Sequence, residues 1–193
     1  MKPIAEVVGR PLKWKRAKSG YFDLMADGEV VATLRCADPC GLQAIGETAE
    51  GTWVLECTDS FELRCAVRAV GEEVNLAVCA PHKGSSILKF YDGRAFLWQH
   101  YAKGCRLFVW RTEWRWATLE GRVLMTIKNL ADWWCDKDCY EAEVIPAPEA
   151  CTLPELGLLV LMGWYLVQVH REEEESLLAA LLATEGLADG LIR

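Results

Sequence analysis

The feature that most constrains this chain is an apolar run of 14 residues, 156–169, in which no side chain carries a charge. As a helix it would be about 21 Å long, shorter than the hydrocarbon core of a bilayer at about 30 Å. The run therefore predicts a buried helix rather than a membrane anchor. A helix that is apolar on every side must be surrounded on every side, so the rest of the 193-residue chain has to enclose it.

The segment from about residue 20 to 145 has the period-two pattern of β-strands. In Phe61–Ala69, apolar residues at the odd positions alternate with charged residues at 62, 64 and 68, which is typical of a half-buried strand. Gly-containing turns that predict antiparallel hairpins lie at 26–29, 49–52, 70–73, 91–94, 102–105 and 119–122. The predicted strands lie near 21–26, 29–36, 42–46, 52–58, 60–69, 74–80, 85–91, 94–100, 104–111, 113–118, 122–129 and 139–145. A meander of this length closes into a barrel, because closure removes the exposed edges.

The C-terminal region has helical rather than strand character. Prolines end the strand region, and Thr152-Leu-Pro-Glu155 has the form of an N-terminal capping box. We therefore predict a mainly β fold, a closed antiparallel barrel of about twelve strands with the hydrophobic C-terminal helix threaded through its centre. Residues 1–193 form a single domain in this prediction, and a short amphipathic helix ends the chain. Its parts are a basic N-terminal arm (1–19), the barrel (20–145), the central helix (152–170) and a tail helix (171–193).

Two segments resemble the tubby C-terminal-domain-like superfamily, which includes the phospholipid scramblases. Gly84–Trp98 resembles the family's paired strands around an Asp-Gly-Arg turn, and Leu153–Val167 resembles its closing helix. The chain looks like a compact bacterial-type member, and the resemblance extends from about residue 20 to 170. It implies the barrel with a central helix. It also implies an outer surface that binds phosphoinositide headgroups through Lys and Arg.

The best candidate for such a surface is a basic cluster near the N-terminus. The chain carries a net charge of −7, yet six basic residues against one acidic residue give positions 1–20 a net charge of +5. Lys13, Lys15, Arg16 and Lys18 form the cluster, which is predicted to meet anionic lipid headgroups or an acidic partner. The alternative is a solvated arm without a ligand. Trp14 lies among these charges and would either enter a membrane interface or pack against the edge of the domain.

The charge balance and the cysteines limit the other classes of function. A pI near 5.1 argues against nucleic-acid binding, and the N-terminal residues lack the apolar stretch of a secretory signal. The nine cysteines are interpreted as reduced thiols of a cytoplasmic protein. Only Cys36/Cys40 and Cys135/Cys139 have spacings near those of zinc ligands, and no histidine accompanies them, so we predict no metal and no cofactor.

No catalytic motif is recognisable. The three histidines, His82, His100 and His170, belong to no metalloprotease, nucleophile-elbow or phosphate-loop pattern. His100 shares a strand face with Trp98 and is interpreted as a core or rim histidine. The tryptophans Trp98, Trp110, Trp114 and Trp116 are predicted to fill the space between barrel wall and helix rather than to stack on bases or sugars.

These observations predict a non-enzymatic tubby-like barrel, cytoplasmic and peripheral at membranes, that binds phospholipid or phosphoinositide through Lys13, Lys15, Arg16 and Lys18. One alternative is a carrier with a small apolar ligand in the barrel, which requires the helix to lie outside the lumen. Another alternative is a scaffold for protein interactions.

Overall fold

Twelve antiparallel strands of the described chain form a closed barrel. The computed structural model describes residues 1–37, 42–59, 64–82, 85–105, 108–129 and 141–172, with the backbone alone at 59 and 102–111. A short helix α1 (Ile4–Val7) precedes the barrel, and a 3₁₀ turn (Pro148–Thr152) follows it. The strands are β1 (Leu12–Lys18), β2 (Tyr21–Ala26), β3 (Glu29–Cys36), β4 (Gln43–Thr48), β5 (Gly51–Asp59), β6 (Arg64–Ala69), β7 (Ala77–His82), β8 (Ser85–Phe90), β9 (Ala95–Cys105), β10 (Phe108–Ala117), β11 (Val123–Asn129) and β12 (Ala142–Pro146). The last described element, α2, is helical from residue 156 through residue 172.

Each strand pairs with its neighbours along the chain, and β1 closes the ring by pairing with β12. Leu12 lies opposite Val144 of β12 on one side and opposite Ala26 of β2 on the other. The predicted closed antiparallel barrel is therefore confirmed.

Most predicted hairpin turns are present. Between β2 and β3, Asp27 and Gly28 have φ values of 49° and 86°, which is the pattern of the two-residue turn that matches strand twist. The turn predicted at 102–105 is wrong, because β9 continues to Cys105 and pairs there with Phe108. The two strands predicted at 104–111 and 113–118 are accordingly one strand, β10.

The prediction of an N-terminal arm is also wrong in part, because residues 12–18 form β1 of the barrel wall. The alternation of Leu12 and Trp14, both fully buried, with Lys13 and Lys15 is the period-two signal of a half-buried strand. The prediction of twelve strands omitted this strand and counted β10 twice.

Every residue of α2 from 156 to 169 is buried, as the uncharged run predicts. The Trp164 ring stacks on Trp14 of β1 with centroids 5.5 Å apart. The Nε1 atom of Trp116 in β10 donates a hydrogen bond to the Leu159 carbonyl at 2.8 Å. The Tyr165 hydroxyl donates to the Leu42 carbonyl, just before β4, at 2.7 Å. The apolar run thus contributes more residues to the hydrophobic core than any other single element.

The start of α2 differs from the predicted capping box. The Thr152 hydroxyl donates to the Glu149 carbonyl within the 3₁₀ turn, and α2 begins four residues later. The buried Glu155 side chain forms an ion pair with Arg94 in the turn between β8 and β9. Tertiary contact with a distant turn has replaced the local cap.

Candidate functional site

Two residues of the basic cluster, Lys13 and Lys15, lie on the outer face of β1. Leu12 and Trp14 point into the barrel and are fully buried, so their strand neighbours Lys13 and Lys15 face outward. Ser19 and Gly20 form a two-residue connection, Gly20 with a φ of 70°, that brings β2 back alongside β1.

A groove of about 480 Å³ runs along this outer surface. Three of the four predicted basic residues, Lys13, Lys15 and Arg16, line it. The other lining residues are Pro11, Ala17, Asp23, Met25, Asp27 and Gly28. The structure therefore brings most of the predicted cluster to one concave site, together with two carboxylates from β2 and the β2–β3 turn.

Some of the groove's charges already have partners. The Arg10 guanidinium lies 3.1 Å from the Asp27 carboxylate at one end of the groove. The Lys15 ammonium leans toward β12, 3.9 Å from Glu141. Both pairs are solvent-exposed, so each stabilises the fold by at most about 1 kcal/mol.

Lys13 and Asp23 differ from these pairs. Neither side chain forms an ion pair or a hydrogen bond with another described residue. Lys13 lies opposite Met25, and Asp23 lies opposite Lys15, so the two charges are diagonal neighbours across the β1–β2 pair. Their Cα atoms are then about 7–8 Å apart, which leaves room for a ligand group between the side chains.

The side chains of Lys18 and Arg16 contact residues near the β1–β2 turn. Lys18 does not line the groove, and its ammonium lies 4.0 Å above the centre of the Tyr21 ring. The Arg16 guanidinium donates to the Ser19 hydroxyl at 3.3 Å.

Trp14 is fully buried, so its predicted alternative placement at a membrane interface is wrong. Its place is in the core against Trp164, because the strand alternation turns it inward.

Acidic side chains surround the groove and reduce its positive potential. Glu143 of β12 lies opposite Lys13 in the β1–β12 register. Three cationic and two anionic residues line the groove itself. A broad electrostatic attraction to an anionic surface is therefore weak, and recognition at this site depends on individual placed charges.

The sequence reasoning missed Asp23 and Asp27 as site residues. A signal for Asp23 was present, because Leu12 and Trp14 mark a strand and Ser19-Gly20 marks a tight hairpin. That hairpin places β2 beside β1 and Asp23 within reach of the lysines. Asp27 was assigned only to a turn.

The other candidates from the sequence belong to the core or its rim. Trp98, Trp114 and Trp116 are buried in the core, while the Trp110 side chain is outside the described part. His100 is exposed at the rim, where it stacks on Trp114 at 5.5 Å and meets His170 edge-on at 4.8 Å between ring centroids.

The cysteines whose side chains the structure describes are thiols rather than disulfides: Cys36, Cys57, Cys65, Cys79 and Cys151. Cys57, Cys65 and Cys79 lie side by side on the inner faces of three adjacent strands and are buried. Burial, with a smaller effect of Cys57, raises the pKa of Cys79 to about 12, so this thiol is a poor nucleophile. Of the two predicted cysteine pairs, Cys40, Cys135 and Cys139 lie outside the described residues. Within the described ranges no group of three metal-binding side chains could hold an ion.

No protein-family model, curated protein or solved structure matches this chain. Across the described ranges, none of the helices is both long enough and apolar enough to cross a bilayer.

Proposed function

We propose that this protein is a non-enzymatic tubby-like barrel that binds the phosphate of a phospholipid headgroup in the β1–β2 groove. One observation carries the proposal: Lys13, Lys15 and Arg16 line the same outward concavity. Lys ammonium and Arg guanidinium groups are the side chains that bind phosphate best. In this proposal the protein is cytoplasmic and attaches peripherally to the membrane surface.

The fold part of the proposal is that α2 runs through the centre of the barrel. β4 and β10 lie six strands apart in a ring of twelve, which places them on opposite sides. Leu161 of α2 packs so closely on Gly46 of β4 that a Cβ there would lie 2.9 Å from Leu161 Cδ1. On the opposite side, Trp116 of β10 bonds to Leu159. Contacts to opposite walls support a helix inside the ring.

This placement argues against the carrier alternative, which needs an open lumen. The side chains that would line such a lumen, including Trp14, Trp98 and Trp116, are instead buried in one core with the helix. A phosphate site on the outer wall requires no internal cavity. The groove is therefore the better candidate for a ligand site.

Co-sedimentation with vesicles tests the proposal. The variant Lys13→Glu/Lys15→Glu/Arg16→Glu should lose binding to vesicles that contain anionic phospholipid, because its groove would repel phosphate. Lys18→Glu alone should bind nearly as well as the wild type, since Lys18 lies outside the groove. Background-level binding by the wild-type protein, both to these vesicles and to vesicles that contain phosphatidylethanolamine, would refute the membrane role.

A matched control separates the groove from net charge. Arg68→Glu/Lys89→Glu/Arg122→Glu makes the same change in net charge at positions that do not line the groove. This variant should retain most of the binding. If both triple variants lose binding equally, general electrostatics rather than the groove is responsible, and the site assignment is wrong.

A further inference from the structure

We infer that the groove selects a zwitterionic ligand, a phosphate ester that carries a primary ammonium group two carbon atoms away, as in an ethanolamine headgroup. This inference rests on the proposed function, because it assigns the phosphate to the same lysines. It adds a partner for the second charge of the ligand. Phosphatidylethanolamine in a membrane and free O-phosphoethanolamine share this chemistry.

The first observation is the pair of unpartnered opposite charges that line the groove. The Lys13 ammonium and the Asp23 carboxylate make no ion pair or hydrogen bond with other described residues. Both side chains are only partly exposed, and both line the groove. A ligand with one charge of each sign would satisfy both groups. A simple phosphate would satisfy Lys13 and leave Asp23 as a repulsive neighbour.

The second observation concerns the side of the groove to which each charge belongs. Lys13, Lys15 and Arg16 belong to β1, whereas Asp23 lies on β2 and Asp27 in the turn after β2. The positive and negative groups therefore line opposite sides of the groove. Asp27 is already engaged by Arg10, so Asp23 is the carboxylate available to the ligand's ammonium group.

The third observation separates ethanolamine from choline. A quaternary ammonium group cannot donate a hydrogen bond and is bound in proteins by aromatic cages. Among the described residues that line the groove, none has an aromatic ring. A primary ammonium group, by contrast, can donate hydrogen bonds to the Asp23 carboxylate. The lining therefore favours ethanolamine over choline.

The test compares two soluble ligands by NMR titration of the full chain. O-phosphoethanolamine should bind about threefold or more tightly than ethyl phosphate, as one ion pair at a partly exposed site would produce. This order is diagnostic, because a site that attracts phosphate by net charge alone would prefer the more negative ethyl phosphate. Lys13→Ala should weaken both ligands by a similar factor.

Asp23→Asn should abolish the preference for O-phosphoethanolamine over ethyl phosphate. This variant should bind ethyl phosphate at least as tightly as the wild type does. Asp27→Asn is the matched control in the same groove, and it should preserve the preference because Arg10 already holds Asp27. Thermal unfolding of both variants verifies that the barrel is intact. Equal binding of the two ligands by the wild type, or an unchanged preference in Asp23→Asn, would overturn the inference and leave the phosphate site standing.

Vesicles distinguish the two sources of the ligand. If the ligand is a lipid, vesicles with phosphatidylethanolamine should bind the wild type more tightly than vesicles with phosphatidylcholine alone, and Asp23→Asn should remove the difference. If only the soluble ester binds, the free phosphate ester is the ligand and the membrane role is wrong. If neither ethyl phosphate nor O-phosphoethanolamine binds, the proposed phosphate site itself fails, together with this inference.

Discussion

Replacing Gly163 with alanine places a methyl group where α2 lies close against the side chains of two strands, β10 and β11. The new Cβ would lie 2.8 Å from Trp116 Nε1, 2.9 Å from Ile127 Cδ1 and 3.3 Å from Trp98 Cζ3. Trp116 and Ile127 are fully buried, and the Trp116 ring is held by its hydrogen bond to Leu159. These neighbours cannot move into solvent, so the methyl group must displace the helix or break that bond.

Three effects determine the size of the change. Alanine in place of glycine inside a helix stabilises by itself by about 1 kcal/mol. Forcing an extra methyl group into a packed core costs about 2 kcal/mol. Weakening the Trp116 hydrogen bond costs about 1 kcal/mol more. We therefore expect the free energy of unfolding to fall by about 2 kcal/mol.

Urea unfolding followed by circular dichroism measures this change, and Gly157→Ala is the control on the same helix. There the new Cβ would lie 2.7 Å from the Glu50 carboxylate and 3.0 Å from the Thr48 hydroxyl. Glu50 is exposed and can swing into water, and the buried Thr48 side chain needs to shift by only a few tenths of an ångström. Its lost hydrogen bond to Thr48 and the gain in helix propensity offset each other, so the control should stay within about 0.5 kcal/mol of wild type.

The sign of the stability change in Gly163→Ala shows whether α2 is packed tightly against the strands. A helix that lies loosely outside the barrel would gain stability from Gly163→Ala, by about 1 kcal/mol. A Gly163→Ala protein as stable as the wild type, or no less stable than Gly157→Ala, would therefore refute the packing of α2 against Trp116 and Ile127.

Three further predictions concern the core. Because burial raises the pKa of Cys79 to about 12 from an ordinary value near 9, only the unfolded chain ionises this thiol between those pH values. The contribution of this thiol to the free energy of unfolding should be constant below about pH 9 and should fall by on the order of 4 kcal/mol as the pH rises toward 12. Urea unfolding at a series of alkaline pH values should show a smaller loss of stability for Cys79→Val than for the wild type. Tyr165→Phe should lower the free energy of unfolding in urea by about 0.5–1.5 kcal/mol. The loss is no larger because the Leu42 carbonyl still accepts a hydrogen bond from the Cys57 backbone N–H; an unchanged free energy would contradict the Tyr165 hydrogen bond. Trp14→Ala should cost about 3–5 kcal/mol because the ring is fully buried on Trp164, whereas a membrane-facing Trp14 would instead lose vesicle binding at unchanged stability.

Several parts of the fold could be predicted from local pattern. Alternation of apolar and polar residues identified most strands, and the Asp-Gly turn at 27–28 has the backbone angles that this pair favours. The uncharged run 156–169 predicted a fully buried helix, and burial at each position confirms it. Such features depend on residues only a few positions apart, so they can be predicted without knowledge of the tertiary structure.

Other predictions failed, one of them where a long-range contact outweighed local preference. The Thr152–Glu155 capping box does not form, because Glu155 pairs with Arg94 about sixty residues earlier in the chain. The turn predicted at 102–105 is absent for a different reason, because pairing with the next strand, β10, keeps β9 extended through Gly104. Only the first of these two failures comes from a contact with a distant element; the second comes from the position of the hairpin turn between neighbouring strands.

The candidate site likewise has one part that follows from the sequence and another that depends on the tertiary structure. The sequence by itself determined that Lys13, Lys15, Arg16 and Lys18 form a basic cluster, since they are neighbours in the chain. Only the tertiary structure decided that three of them share a groove with Asp23, because that depends on the register of β1 against β2. Likewise, the apolar run required an enclosure, but barrel closure between β1 and β12 brings together residues about 130 positions apart. Pairing across that distance is set by the complete packing of the barrel and helix, which no local stretch of sequence contains.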